Sequence, residues 1–321
     1  MKKLSKYVAI GAASVAAAAG VASVVSRKIS KYVVDTALDR EKPKQFKAVS
    51  ISTEDICPEN ILPLLNDYSE KLKNSNCELV EIYADDGEKL IGHWQHRDTD
   101  KRVIIAMHGW RSSWSNDFGA ISDFLLDMDC SILYAEQRGQ GGSGGKYMGF
   151  GMIERFDCLK WIKWVNDTLG GDYPIYLAGI SMGASTVLMT AGFELPENVK
   201  GIIADCGFTS AHDIWKHVLE DNTYLSYRIH RRAVDEMCKK KISIDSNFYT
   251  TLDAMEECKV PVLFVHGTDD KFVPIDMTYR NYKACNSKKR LFAVPGASHA
   301  LSYIVDKEGY EREIKDFFNW Q

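Results

Sequence analysis

The chain has 321 residues and a formal net charge of −4, with 45% hydrophobic and 26% charged residues. That balance is ordinary for a soluble globular protein with a sizeable core, and it leaves no basic surface on which to expect nucleic acid. Eight cysteines, at 57, 77, 130, 158, 206, 238, 258 and 285, form no Cys-x-x-Cys pair, so buried reduced thiols are expected in place of a zinc site or a disulfide framework.

The first segment differs from the rest. Tyr7 to Val25 is nineteen residues without a charge, rich in Ala and Val, preceded by Lys2, Lys3 and Lys6 and followed by Arg27, Lys28 and Lys31. About 20 apolar residues span a bilayer as a helix. Residues 1–30 are therefore expected to form a hydrophobic anchor or signal segment. A transmembrane helix through residues 7–25, holding the protein at the cell membrane, is the first expectation, and secretion after cleavage is the alternative. Basic residues on both flanks leave the orientation open. Residues 31–77 read as a polar lead-in or stalk, helical in pieces and broken at Pro43 and Pro63.

From Glu78 the pattern changes. Glu78 to Ala84 and Lys89 to Gln95 read as a strand pair joined by the turn Asp85-Asp86-Gly87. Six short apolar runs follow: Val103–Met107, Ser131–Ala135, Ile175–Ala178, Gly201–Ala204, Val262–Val265 and Leu291–Val294. Continuous apolar runs of this length suit parallel strands buried on both faces. Helix-period segments separate them at 118–127, 153–166, 184–192, 276–285 and 307–320. Strand alternating with helix predicts an α/β fold with a mostly parallel sheet wrapped on both faces. Residues 208–255 interrupt the alternation with aromatic and basic residues and two or three helices. They read as a small cap over the C-terminal edge of the sheet, or as a long crossover.

The chemistry concentrates at the ends of these strands. Gly179-Ile180-Ser181-Met182-Gly183 directly follows an apolar strand and opens a small-residue helix, which is the nucleophile-elbow pattern. A serine hydroxyl is a weak nucleophile and needs a base. His299, in Pro295-Gly296-Ala297-Ser298-His299 just past the last strand, sits where the chain order Ser, Asp, His requires it. His108 and His266 each end a strand before a glycine and read as structural. The acid that orients the imidazole is expected at Asp270, with its neighbour Asp269 and then Asp205 as alternatives. An oxyanion would be held by two backbone N–H groups, one on Met182 and the other on Trp110 in the loop His108-Gly109-Trp110-Arg111. Gly139-Gln140-Gly141-Gly142-Ser143-Gly144 matches a dinucleotide-binding string. No helix opens directly behind it and no acid ends a strand about 20 residues on, so nucleotide binding is not expected.

Together these residues resemble the α/β-hydrolase superfamily. The likeness covers residues 78–321 and rests on His108-Gly109, the loop Glu136–Ser143, the elbow, His266-Gly267-x-x-Asp270-x-x-Val273-Pro274 and Gly296-x-x-His299. A closer likeness, carried by Gly149–Cys158 and Ala204–Ser210, is to membrane-anchored or secreted hydrolases of Gram-positive bacteria. Those are similar to acyl (cinnamoyl) esterases and prolyl-oligopeptidase-type peptidases. The resemblance implies an eight-stranded, mostly parallel sheet with a small helical cap. It also implies a serine hydrolase with Ser181, Asp270 and His299 as its triad, requiring no metal or organic cofactor. The implied substrate is a small carboxylic ester, with short peptides as the alternative. A non-catalytic binding protein on the same scaffold is the reading from a different class. Glu136-Gln137 departs from the Asp that many members carry before Arg-Gly, and it is expected to affect loop packing only.

Overall fold

The computed structural model describes residues 23–43, 60–222 and 226–320. Eight strands form one sheet. They are β1 (Glu78–Tyr83), β2 (Lys89–Gln95), β3 (Arg102–Met107), β4 (Cys130–Glu136), β5 (Ile175–Ile180), β6 (Val199–Asp205), β7 (Val262–Gly267) and β8 (Lys289–Val294). Their order across the sheet is β1-β2-β4-β3-β5-β6-β7-β8. β2 pairs antiparallel with both β1 and β4, and the remaining pairs are parallel. This is the α/β-hydrolase fold that the sequence pattern implies.

The apolar runs explain why the middle of the sheet is parallel and covered. Every residue from Val103 to Met107 is buried. Ile105, Leu133 and Leu177 point to one face, where helix α5 (Glu154–Leu169) adds Trp161, Ile162 and Val165. Ile104, Ile132 and Ala178 point to the other, where helix α12 (Lys307–Phe318) adds Ile314 and Phe317. Strand side chains alternate between faces, so one run of five apolar residues supplies both cores.

The helix expected at 118–127 occupies only Ser122–Asp127 (α4), and a separate short helix, α3 (Trp114–Phe118), ends where it was to begin. Helix α2 (Leu62–Lys73) packs against α3, and Ser69 Oγ bonds Ser115 Oγ at 3.0 Å and Asn116 Oδ1 at 2.7 Å.

Within 208–255 lie α7 (Ala211–Asn222), α8 (Tyr227–Ile242) and α9 (Thr251–Glu257). Met255 of α9 joins the main core. Buried side chains of α7 and α8 form a separate cluster with Phe150, Phe208 and helix α1, which spans 23–38.

The expectation of a transmembrane helix through residues 7–25, and of a cell-membrane location drawn from it, is corrected. Among the described residues no helix is long and apolar enough to cross a membrane. Residues 1–22 lie outside the described residues. The described continuation, α1, carries exposed Arg27, Lys28 and Lys31, while Ile29, Val34 and Leu38 are buried against the protein. Ile29, Val34, Ala37 and Leu38 pack on the α7–α8 cluster, while Val24 and Val25 are exposed. Seven of the eight cysteines are described, all as free thiols, and six of those are buried.

Candidate active site

The site grows from the turn between β5 and helix α6 (Met182–Thr190). Ser181 sits at φ 56°, ψ −115°, a backbone region that ordinary residues avoid at a cost of about 1–3 kcal/mol. The two glycines around it are dictated by close approach. A Cβ on Gly179 would lie 2.2 Å from the Gly183 carbonyl oxygen, and one on Gly183 would lie 1.8 Å from the Met107 carbonyl oxygen. The strained turn is fixed from outside by the Ser181 N–H, which donates to the Asp205 carbonyl at 2.9 Å.

Two loops from other strands meet this serine. The Ser181 hydroxyl donates to His299 Nε2 at 2.9 Å, and His299 Nδ1–H donates to Asp270 Oδ2 at 2.7 Å. The structure thus brings Ser181, His299 and Asp270 into one hydrogen-bonded line. The loops carrying the acid and the base are also stitched to each other. Asp269 N–H donates to the Ala297 carbonyl at 3.0 Å, and Gly296 N–H donates to Thr268 Oγ1 at 2.9 Å. Asp269, the first alternative acid, is exposed and bonds Thr268. Asp205, the second, is buried but accepts from Ser302 and does not reach the imidazole.

Asp270 is held by four donors. Its Oδ1 accepts the N–H groups of Phe272 at 2.9 Å and Val273 at 2.8 Å, and its Oδ2 accepts from His299 and, at 3.1 Å, from His266 Nε2. Burial by itself would raise its pKa, but His299 and His266 outweigh it and hold the carboxyl well below the usual range. His299 mirrors this: burial opposes its charge, and the Asp270 carboxylate outweighs burial and raises its pKa. His266 reads as structural from sequence. In space its ring, with Nδ1 accepting from Thr278 at 2.6 Å, fixes the acid. His108 is structural in the plainer sense. Its Nδ1–H donates to the Gly109 carbonyl at 2.8 Å, and its Nε2 accepts the Gln137 N–H at 3.1 Å.

The two expected oxyanion donors lie at this centre. Met182 is the first residue of α6, where an N–H has no intrahelical acceptor. Gly109 is pinned by its N–H to Asp117 Oδ2 at 2.6 Å, and a Cβ on it would stand 3.4 Å from Ser181 Cβ. Trp110 follows directly. Neither the Met182 nor the Trp110 N–H finds an acceptor among the described residues. Asp117 carries no recognisable motif in the sequence. Burial raises its pKa, with His108 opposing.

A cavity of about 50 Å³ opens on Ser181. Aromatic rings make much of its wall: Trp110, Phe150, Phe208, Trp215 and Phe272. Phe272 meets the His299 ring edge-on at 5.0 Å and stacks on Trp110 at 6.4 Å. Phe150 reaches the wall because its backbone turns through φ 53°, and Glu154 holds that turn by accepting the N–H groups of Gly149 and Gly151. A second cavity, about 210 Å³, meets His299 and is also lined by Asp117, Asp205 and Tyr303. The glycine-rich loop 139–144 closes on itself, with the Gly139 N–H donating to the Gly144 carbonyl at 2.7 Å. The departure at Glu136-Gln137 sits within loop packing: Gln137 bonds Thr186 at 2.9 Å.

Known proteins resemble this chain in both sequence and fold. Its residues 116–321 match the model of the prolyl oligopeptidase family. YqkD of Bacillus subtilis (strain 168), a protein without a characterised function, is 27% identical over 227 residues, covering 71% of this chain and 74% of its own. The esterase Pf2001 of Pyrococcus furiosus superposes with a TM-score of 0.60 at 22% identity, covering 79% of this chain and 94% of its own. The acylaminoacyl peptidase of Pyrococcus horikoshii superposes at 0.56 with 15% identity, over 78% of this chain and 42% of its own. At those identities the two structures speak for the fold. The matched family model covers well over half of the sequence. The chain is an enzyme of the α/β-hydrolase type and belongs to the prolyl oligopeptidase family.

Proposed function

We propose that the protein is a serine hydrolase that cleaves carboxylic esters through an acyl-enzyme on Ser181. The observation that carries this reading is the hydrogen-bonded line Ser181–His299–Asp270 opening onto an uncharged, largely aromatic pocket. His299 Nε2 takes the Ser181 proton as Oγ attacks the ester carbonyl. The N–H groups of Met182 and Trp110 hold the oxyanion, each worth roughly 3 kcal/mol of transition-state stabilisation. The tetrahedral species collapses, the C–O bond to the alcohol breaks, and His299 returns its proton to the leaving alkoxide. Water, deprotonated by His299, then attacks the acyl-enzyme and releases the acid and the serine. Asp270 keeps its charge throughout and stabilises the imidazolium. Besides water, the route uses only groups of the chain itself. In this reading residues 78–321 are the hydrolase domain, with α7 and α8 as its cap.

The second reading, cleavage of short peptides, is favoured by the family match. The ester reading is preferred because no charged side chain lines the pocket at Ser181 to pair with a peptide terminus. The test is a panel of p-nitrophenyl esters beside aminoacyl p-nitroanilides, with Ser181→Ala as the control. Ester turnover abolished in Ser181→Ala is expected. Anilide turnover exceeding ester turnover would overturn the ester assignment. Failure of a fluorophosphonate to label folded protein at Ser181 would overturn the enzyme mechanism and favour a binding role.

A further inference from the structure

Helix α1 lies before the region that carries the motifs, yet it forms part of the wall of the pocket at Ser181. Tyr32, Val33, Thr36 and Ala37 line that pocket beside Phe208 and Trp215. The last carbonyls of a helix have no partners within it, and here the active-site loop supplies them. The Arg111 guanidinium donates to the carbonyls of Thr36 at 2.9 Å, Asp39 at 2.6 Å and Arg40 at 3.1 Å. Trp110 Nε1–H donates to the Ala37 carbonyl at 2.9 Å, and Met148 N–H to that of Leu38 at 2.7 Å. Arg111 holds φ 52°, a left-handed conformation that these bonds help to fix. On the other side Lys241 of α8 pairs with Asp35 at 3.1 Å and with Asp39, and Ser26 Oγ bonds His230 at 2.9 Å. The helix is therefore tied both to the loop bearing Trp110 and to the cap.

We infer that α1 is the specificity wall of the acyl pocket: it selects an uncharged, apolar acyl group, and the side chain at position 33 sets how long that group can be. This rests on the ester-hydrolase reading of the same site. A carboxylate or ammonium on the acyl group would be stripped of water with no counter-charge in the lining, which is strongly unfavourable. An alkyl chain gains instead, about fourfold in affinity for each methylene buried. Val33 is only partly buried and packs against the α7–α8 cluster, so its size can change without opening the main core.

The experiment uses the full chain with Val33→Ala and Val33→Phe, each made in two backgrounds. In Ser181→Ala protein, binding of methyl butyrate, methyl octanoate and methyl decanoate is read from quenching of tryptophan fluorescence. In protein that keeps Ser181, hydrolysis of the same esters is measured. A phenyl ring in place of isopropyl displaces roughly two methylenes of ligand, so Val33→Phe should weaken methyl decanoate about fifteenfold more than methyl butyrate. Val33→Ala should shift preference toward the longer chain. Binding that responds to position 33, without hydrolysis by any protein keeping Ser181, upholds the wall and defeats the reaction. Hydrolysis with one chain-length profile in all three proteins upholds the reaction and overturns the wall.

Discussion

Replacing Asp270 by asparagine keeps its shape and removes its charge. The carboxylate divides four donors between two oxygens: Oδ1 takes the backbone N–H groups of Phe272 and Val273, and Oδ2 takes the imidazoles of His299 and His266. An amide has one accepting oxygen. The backbone donors cannot rotate away, so the oxygen stays with them and the NH₂ faces the two rings. His299 must then accept at Nδ1 and carry its proton on Nε2, where it can no longer take the Ser181 proton. In the serine-protease template this wrong tautomer costs about 10⁴ in kcat, or about 5 kcal/mol, and a similar loss is expected for this enzyme. Two charge-assisted hydrogen bonds are also lost, at roughly 1.5–3 kcal/mol each, so stability should fall by about 3–6 kcal/mol. The assay is kcat/KM on p-nitrophenyl butyrate, run below the melting temperature of the variant, with folding checked by circular dichroism. A folded Asp270→Asn protein keeping more than about a tenth of the activity would refute the assignment, because only a base in the right tautomer separates the two proteins.

Other consequences are open to direct measurement. His299 must be neutral to act as base, and burial opposes its charge while Asp270 outweighs burial and lifts its pKa above the ordinary 6.5. Ester kcat/KM should therefore rise with pH through a value above 6.5, and an acid limb at or below 6.5 would contradict the pairing. Met182→Ala keeps the backbone N–H but empties a fully buried position. It should cost about 2–4 kcal/mol in chemical denaturation while changing kcat less than about tenfold. Gly183→Ala drives a methyl group into the Met107 carbonyl. It should lose more than about 3 kcal/mol, seen as a lowered melting temperature or insoluble protein. Asp157→Ala takes the buried carboxylate from the Arg138 guanidinium, which is 7% exposed and bonds Asp157 through two contacts of 2.6 Å, and leaves it the half-exposed Asp86 at 2.6 Å. A loss of about 2–3 kcal/mol is expected by denaturant titration.

Legibility in the sequence followed the range of the interactions. Six of the eight strands were readable as short apolar runs bounded by turn residues and the β1–β2 pair by the turn between them, and both faces of a central strand are specified within five residues such as Val103–Met107. The elbow was readable because its glycines answer to close backbone contacts with local signatures, one of them between Gly179 and Gly183. His266 shows the limit. Its sequence position at a strand end gave a structural reading, and the spacing to Asp270 was the one local hint that its ring would fix the acid. The expected membrane helix shows a different limit: most of it lies outside the described residues, and the helix that follows, α1, is amphipathic, with Ile29, Val34 and Leu38 buried and Arg27, Lys28 and Lys31 exposed.

The sequence by itself determined the order of strands and helices, the strained serine turn and which loops carry His299 and Asp270, since each depends on residues near one another along the chain. Only the tertiary structure decided between Asp270 and its neighbour Asp269, because that choice turns on which carboxylate the stitched loops present to the imidazole. Only it could bring residues 32–37 beside Ser181. Part of the pocket wall is made by a helix about 150 residues away in sequence. Arg111 anchors that helix through backbone carbonyls, and a bond to a carbonyl leaves no trace in the identity of the residue that offers it.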